Sequence, residues 1–227
     1  MEKIYITSTP RRSAPTGTQK FYVALASSLS RESIREIAIT DESRASASDL
    51  AASYPLGIHE LRPLLRFDGL QYLNLSVQRS IVFDDAMLLA LADAWPHILV
   101  LNLNNYGHRH SSSGVTPLAF ITLLARCPKL KQLRIIPLDF STIDSQTADF
   151  DPLSIDALRI QGRKGALAEL TELWLDSYRI VYPDAVAKFL SAVLPNLAGI
   201  YMFNSKSGMP ASHGDAVACR QSFYKTT

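Results

Sequence analysis

One apolar pattern recurs along the chain and limits what it can fold into. Apolar residues at the first, fourth and sixth positions of a short segment occur seven times, starting at Met1, Ile34, Leu70, Ile98, Leu130, Leu170 and Leu197. The starts are 27 to 40 residues apart. Side chains two positions apart point to the same face of a strand, so each segment predicts a short strand with one buried face. The intervals leave room for a helix between consecutive strands.

Three of these segments follow a proline at the same distance. Pro96, Pro128 and Pro195 each lie two residues before the first apolar position. Apolar or sulfur-containing residues stand five residues and one residue before each proline, namely Leu91 and Trp95, Leu123 and Cys127, and Leu190 and Leu194. Each pair has the i, i+4 spacing of one helical face. Because a proline restricts the residue before it to extended geometry, it ends the helix and turns the chain into the next strand.

Helix starts are marked in the same register. Asp84 and Thr116 lie twelve residues before their prolines and suit the N-cap position, while Pro117 and Pro183 suit a first helical turn. Further helices are predicted over residues 19–29 and 58–67, each just before a strand. The predicted unit is therefore strand, loop, amphipathic helix and turn.

The positions between the buried strand residues decide the fold class. Many are polar: Asn74, Ser76, Asn102, Asn104, Gln132, Arg134, Glu172 and Asp176. A doubly wound sheet remains an alternative, but its strands are buried on both faces and read as continuous apolar runs. The alternation favours a right-handed α/β leucine-rich-repeat solenoid of the ribonuclease-inhibitor type, with about seven irregular strand-helix repeats over residues 1–203. Residues 204–227 are predicted to form a weakly ordered tail.

Composition narrows the class of protein. Hydrophobic residues make up 47% of the chain and charged residues 19%, which excludes the signature of a disordered chain. A formal net charge of +2 disfavours binding to nucleic acid by counterion release. Two cysteines suit a reducing compartment, and the chain has neither an apolar signal region at its start nor an apolar run of membrane-spanning length. We expect a soluble cytoplasmic or nuclear protein that does not act at a membrane.

The residues that face away from the core define a candidate binding surface. Aromatic residues and arginine dominate protein-binding hot spots, and five of them lie on this surface: Tyr72, Arg134, Trp174, Tyr201 and Phe203. The predicted protein-binding face comprises Tyr72, Asn74, Asn102, Asn104, Arg134, Glu172, Trp174, Asp176, Tyr201 and Phe203. An alternative is that these five residues pack under loops or against a missing flank.

Signals for catalysis, metals or cofactors are weak. His108 and His110 could approach a metal, but no further ligand cluster lies nearby in sequence. The basic, glycine-flanked segment 161–165 lacks the spacing of a phosphate-binding loop, and His213 suggests a hydrolase only by its neighbours Gly214 and Asp215. Cys127 occupies a helix-end core position. We therefore predict no catalytic residues, no metal and no cofactor, with a hydrolase as a minor alternative.

Residues 61–203 resemble the leucine-rich-repeat region of fungal F-box proteins, especially those of mushroom-forming (basidiomycete-type) fungi. The stretches that carry the resemblance are Phe83-Asp84-Asp85-Ala86 with Ala94-Trp95-Pro96-His97, Gly114-Val115-Thr116 with Leu123 to Leu130, and Pro183 to Ala187 with Phe189-Leu190-Ser191 and Leu194 to Leu197. The resemblance implies substrate recognition for a cullin-based ubiquitin ligase, whose F-box helices bind a Skp-type adaptor.

The sequence departs from that family at two places. An F-box begins with a Leu-Pro motif ahead of the repeats, whereas the Leu-Pro pair of this chain is Leu194-Pro195. Gln78 and Tyr106 stand where regular leucine-rich repeats have Asn or Cys. The expected function is a non-catalytic protein-recognition module that resembles a substrate receptor, and the alternative is a truncated family fragment without activity of its own. Composition of a binding face does not identify the partner.

Overall fold

The structure is a computed structural model, and it describes residues 2–8, 15–41, 56–77, 81–105, 114–135, 138–140, 169–176 and 182–203. The strands are β1 (Glu2–Ser8), β2 (Ile34–Asp41), β3 (Tyr72–Val77), β4 (Val100–Asn105), β5 (Gln132–Ile135), β6 (Glu172–Asp176) and β7 (Gly199–Phe203). The helices are α1 (Pro15–Ser28), α2 (Ile58–Leu61), which continues as a 3-10 helix (Arg62–Arg66), α3 (Asp85–Ala94), α4 (Pro117–Arg126) and α5 (Pro183–Val193). The predicted tail, 204–227, lies outside the described residues.

The seven strands form one parallel sheet in which chain order and spatial order coincide. Each strand lies on one of the seven predicted segments, and equivalent positions of the pattern pair across the sheet. The fourth positions form one row from Ile4 through Leu73 to Ile200. This register follows from the apolar pattern, since a shift by one residue would expose a whole row of buried side chains.

One hydrophobic core lies between the sheet and the helices. The strand residues Leu73, Leu101 and Leu133 are at most 1% exposed and belong to the same cluster as the buried faces of α3, α4 and α5. Coverage is weaker at the first strand, where Ile4 and Ile6 are only partly buried. Among the described helices none is long and apolar enough to cross a membrane.

Three helices end in the same way, as the prolines predict. Trp95, Cys127 and Leu194 have φ between −128° and −115° and ψ between 62° and 68°, and each donates its N–H to the carbonyl four residues earlier. The residue three positions later then donates to the carbonyl of the cap, at 3.1 to 3.2 Å. Phe67 and Leu70 make the same turn before β3 without a proline. A common turn therefore sets the start of four strands.

The predicted leucine-rich-repeat solenoid is wrong. The molecule is an α/β fold with an open, all-parallel sheet of seven strands, and in the described part of the chain only four helices of ten or more residues accompany it. In the described part of the connection between β2 and β3, the four-residue α2 is followed by a 3-10 helix, whereas α3, α4 and α5 in three other connections have ten or eleven residues. The strands repeat, but the described parts of their connections differ. A strand that buries alternate side chains needs the apolar pattern seen here. Strands with this pattern can nevertheless be joined by connections of different secondary structure.

The predicted N-caps Asp84 and Thr116 are confirmed, and Thr116 also links α4 to α3. Asp84 accepts a hydrogen bond from the N–H of Met87, and Thr116 Oγ1 accepts one from Ala119 at 3.2 Å. The carboxylate of Asp85 in the first turn of α3 accepts both the N–H and the hydroxyl of Thr116, each at 2.8 Å. Asp85 thus fixes the N-terminus of α4 beside that of α3.

Replacing Asp85 by alanine should destabilise the fold by about 1 to 3 kcal/mol, because it leaves a partly buried N–H of Thr116 without its acceptor. Chemical denaturation of Asp85→Ala, Thr116→Ala and the double variant measures this. We expect the double variant to lose less than the sum of the single losses, with a coupling of about 0.5 kcal/mol or more. Strict additivity would contradict a direct link between the two helices.

Candidate functional site

The sheet presents its second face as two rows of aligned side chains. The first row is Lys3, Glu36, Tyr72, Val100, Gln132, Glu172 and Gly199, and the second row is Tyr5, Ala38, Asn74, Asn102, Arg134, Trp174 and Tyr201. Residues two positions apart on a strand share a face, so both rows lie opposite the core. We call these two rows the open face.

Three predicted hot-spot residues form a continuous stack on the open face. The guanidinium carbon of Arg134 lies 4.4 Å from the ring centroid of Trp174. The rings of Trp174 and Tyr201 are 4.2 Å apart with 17° between their planes. Because β6 lies between β5 and β7, the cation and the phenol approach the indole from opposite sides. Cation–π and aromatic contacts of this kind contribute about 0.5 to 2 kcal/mol each and hold the three side chains in place.

Gly199 makes room for this stack. A Cβ at Gly199 would lie 3.0 Å from Cε2 and 3.1 Å from the hydroxyl of Tyr201, so the Tyr201 ring lies against the backbone of its own strand. Such a contact is closer than side chains ordinarily tolerate. The absence of a side chain at residue 199 therefore lets the Tyr201 ring reach Trp174.

Gly199→Val should move Tyr201 off the indole of Trp174. In a Trp95→Phe background, where Trp174 is the single tryptophan, we expect a shift of at least several nanometres in its emission maximum and a loss of near-ultraviolet circular dichroism. Ala198→Val, an exposed neighbour just before β7, is the matched control and should leave both signals unchanged. Equal spectra for Gly199→Val and the unsubstituted background would contradict this account of the stack.

A concave pocket of about 140 Å³ lies beside the stack. Its walls come from both rows of three neighbouring strands together with Tyr72 of β3; the lining residues are Tyr72, Val100, Leu101, Asn102, Gln132, Arg134, Glu172 and Trp174. The pocket therefore carries one positive and one negative side chain together with two amides and two aromatic rings. Polar groups that converge on a partly aromatic depression are the usual make-up of a recognition site.

The amide side chains of the second row differ in their bonding. Asn74 accepts a hydrogen bond from the hydroxyl of the buried Ser76 at 3.0 Å. Asn102 Oδ1 is buried and has no hydrogen-bond partner among the described residues. A buried acceptor without a donor carries a desolvation cost.

Charged groups also meet at the β1 edge of the open face. Glu36 accepts a hydrogen bond from the hydroxyl of Tyr5 at 2.5 Å and pairs with the ammonium of Lys3 at 2.6 Å. The hydrogen bond from Lys3, followed by that from Tyr5, lowers the pKa of the Glu36 carboxyl below its usual value. The same contacts raise the pKa of both donors. This end of the face therefore stays ion-paired at neutral pH.

The structure brings together some of the predicted site residues. Tyr72, Asn102, Arg134, Glu172 and Trp174 line the pocket, Tyr201 completes the stack, and Asn74 lies beside Asn102. The backbones of Asn104, Asp176 and Phe203 lie in β4, β6 and β7, but their side chains lie outside the described residues. The sequence prediction left Gln132 and Val100 out of the site, although both stand in the same register as Tyr72 and Glu172 and could have been found from it.

Other candidate chemistry has little structural support. Cys127 is buried, and its thiol lies 3.5 Å from the carbonyl oxygen of Trp95. Burial, together with the charge of Asp93, raises the pKa of the Cys127 thiol to about 12, so it stays protonated at neutral pH. Among the described residues no three His, Cys, Asp or Glu side chains are grouped to hold a metal ion. His108, His110, His213 and the segment 161–165 lie outside the described residues.

We compared the chain with known proteins at three levels. Neither the models of protein families nor the curated proteins nor the solved structures include one that matches it.

Proposed function

We propose that this chain is a non-catalytic protein-recognition module of the cytoplasm or nucleus, and that it binds its partner through the open face. The observation that carries the proposal is the stack of Arg134, Trp174 and Tyr201 beside a polar pocket. Hot spots of protein interfaces are rich in these three residue types and surround them with contacts that exclude water.

Preorganisation supports the same function. Long side chains that are ordered only on binding cost about 0.5 to 1.5 kcal/mol each in lost rotamer freedom. The contacts with Trp174 already restrict Arg134 and Tyr201, so a partner would meet side chains whose entropy is largely lost in the free protein. None of the three residues has an evident role in the core, because they lie on the side of the sheet that faces away from the helices.

An affinity pull-down from extract of the source cell tests this proposal. The wild-type chain is compared with Arg134→Ala/Trp174→Ala, and the matched control is Arg66→Ala/Tyr182→Ala, which removes an exposed arginine and an exposed aromatic residue away from the open face. We expect the partner to be retained by the wild type and the control and reduced at least tenfold with the open-face variant. Thermal unfolding of all three proteins shows that the fold is intact.

Equal recovery with the open-face variant would place recognition elsewhere on the molecule. No specific partner with any of the three would favour a fragment without activity of its own. Kinship with F-box proteins is a separate prediction from the sequence resemblance. Recovery of a Skp-type adaptor and a cullin with all three proteins would support it, since in the family that the sequence resembles the F-box helices bind the adaptor and the repeats do not.

A further inference from the structure

The two edge strands of the sheet cover their apolar side chains less well than the interior strands do. At the fourth position of the apolar pattern, Leu73, Leu101 and Leu133 of the interior strands are at most 1% exposed. Ile4 of β1 and Ile200 of β7 hold the same position and are only partly buried. In the described part of the chain β1 pairs with β2 alone, and β7 pairs with β6 alone. Each edge therefore offers main-chain hydrogen-bonding groups beside a partly exposed isoleucine.

The hydrogen bonds between the first residues of the strands show what fits the edge at β1. In four successive strand pairs, from β3–β4 to β6–β7, the N–H at the third pattern position donates to the second-position carbonyl of the preceding strand. These bonds are 3.0 to 3.1 Å long and run from Val100 to Gln71, from Gln132 to Leu99, from Glu172 to Lys131 and from Gly199 to Thr171. Lys3 holds the third position at β1, and Ala198 holds the second position at β7. A second copy with its β7 beside β1 would therefore bring the Ala198 carbonyl to the Lys3 N–H.

The side chains of the two edges match in the same register. Continuing the parallel pairing of the sheet places Ile200 of one copy beside Ile4 of the other on the core side. On the open face it places Tyr201 beside Tyr5, which is 65% exposed in the single chain. Both pairs join equal positions of the pattern, as Leu173 and Ile200 do between β6 and β7. The two edges of one molecule thus complement each other, which makes a second copy the occupant that fits both.

The charges near the two edges favour this pairing. No residue of β7 is charged, so like charges do not oppose each other across the two strands. In the first row of the open face Lys3 of one copy and Glu172 of the other are separated by Gly199, with their Cα atoms about 10 Å apart. The Lys3 side chain is 57% exposed and carries three donors, so it can approach Glu172 while it keeps its pair with Glu36.

We propose that this chain associates head to tail, with β7 of one copy paired in parallel with β1 of the next. The contact is heterologous, so an assembly of any length keeps one unpaired edge at each end unless it closes into a ring. Association therefore continues beyond a dimer. This inference goes beyond the proposed function, because the contact joins edges in the plane of the sheet and partner recognition uses the open face.

Analytical ultracentrifugation of the full chain at increasing concentration tests the association. We expect the weight-average mass to rise reversibly to at least about twice that of one chain, as for a small and weak interface. Ile4→Lys and Ile200→Lys each place a charge where the paired strands would bury it, so each variant should stay monomeric. Leu118→Lys is the control at a side chain that is 63% exposed on α4, and it should associate as the wild type does.

A mixture of the two edge variants tests the order of the copies. Ile4→Lys keeps an unchanged β7 edge, and Ile200→Lys keeps an unchanged β1 edge, so the mixture has one competent contact. We expect a single one-to-one complex that does not grow further with concentration. Thermal unfolding of each variant alone shows that its fold is intact.

Lys3→Pro tests the main-chain bond without touching the core side of β1. Proline removes the N–H that would donate to the Ala198 carbonyl, and an edge strand tolerates proline where that N–H faces outward. We expect Lys3→Pro to abolish association. Lys3→Ala keeps the N–H and should associate within about fivefold of the wild type, since exposed ion pairs contribute little.

Four outcomes would overturn the inference. One is a wild-type chain that stays monomeric at every concentration, and another is a mixture of the edge variants that forms no complex. Self-association of Ile200→Lys alone would mean that two β1 edges pair with each other, and self-association of Ile4→Lys alone would mean the same for two β7 edges. None of these results bears on the open face, which the pull-down with Arg134→Ala/Trp174→Ala tests separately.

Discussion

Trp95→Ala is expected to lower the free energy of unfolding by about 3 to 5 kcal/mol. The Trp95 side chain is completely buried and is the largest side chain of the core. It lies at the end of α3, where its carbonyl also begins the turn into β4. Alanine removes the whole indole from a closely packed region and leaves a cavity. Urea denaturation followed by far-ultraviolet circular dichroism measures the loss.

Trp95→Phe separates the packing of the ring from its polar atom. The indole N–H is buried and has no acceptor among the described residues, so the phenyl ring gives up no hydrogen bond. We expect a loss of no more than about 1.5 kcal/mol, since most of the volume remains and an unsatisfied donor disappears. A loss as large as that of Trp95→Ala would show that the indole N–H is bonded and that this account of its environment is wrong.

Leu123→Ala should cost about 2 to 5 kcal/mol, the second largest effect. Leu123 is fully buried in α4, and its carbonyl accepts the N–H of Cys127 at the end of the helix. The substitution keeps the helical backbone and its hydrogen bonds, because alanine favours helix at least as much as leucine. The loss therefore reports burial against the sheet. Urea denaturation followed by far-ultraviolet circular dichroism measures it.

Leu118→Ala is the matched control in the same helix. Leu118 is 63% exposed, so the same chemical change there should alter the free energy of unfolding by no more than about 0.5 kcal/mol. Comparable losses at both positions would contradict the orientation of α4 on the sheet.

Local features of this fold could be predicted from the sequence because they depend on residues close together in the chain. The seven strands follow from apolar spacing, and the N-caps at Asp84 and Thr116 follow from short polar side chains just before an apolar helix. The turns after Trp95, Cys127 and Leu194 follow from the proline that comes next. In each of these cases a conformational preference of neighbouring residues determines the local structure.

The solenoid was the wrong extrapolation from these local features. It assumed that equal strand patterns imply equal connections, whereas the described residues between β2 and β3 form α2 and a 3-10 helix and those between β3 and β4 include the ten-residue α3. The pattern of the strands contains no information about this difference. A helix of a given length is stabilised mainly by its own packing against the sheet.

The candidate site also has one part that the sequence predicts and another that depends on the tertiary structure. Alternation alone placed Arg134, Trp174 and Tyr201 on the face opposite the core, because side chains of a strand point to alternate sides. Their stacking, the pocket beside them and the room that Gly199 leaves for Tyr201 depend on residues that are far apart in the chain and are brought together by strand pairing. The sequence by itself determined which side chains are buried and which face outward. Only the tertiary structure decided which outward side chains touch, since contacts across parallel strands depend on register and on rotamers that no local pattern encodes.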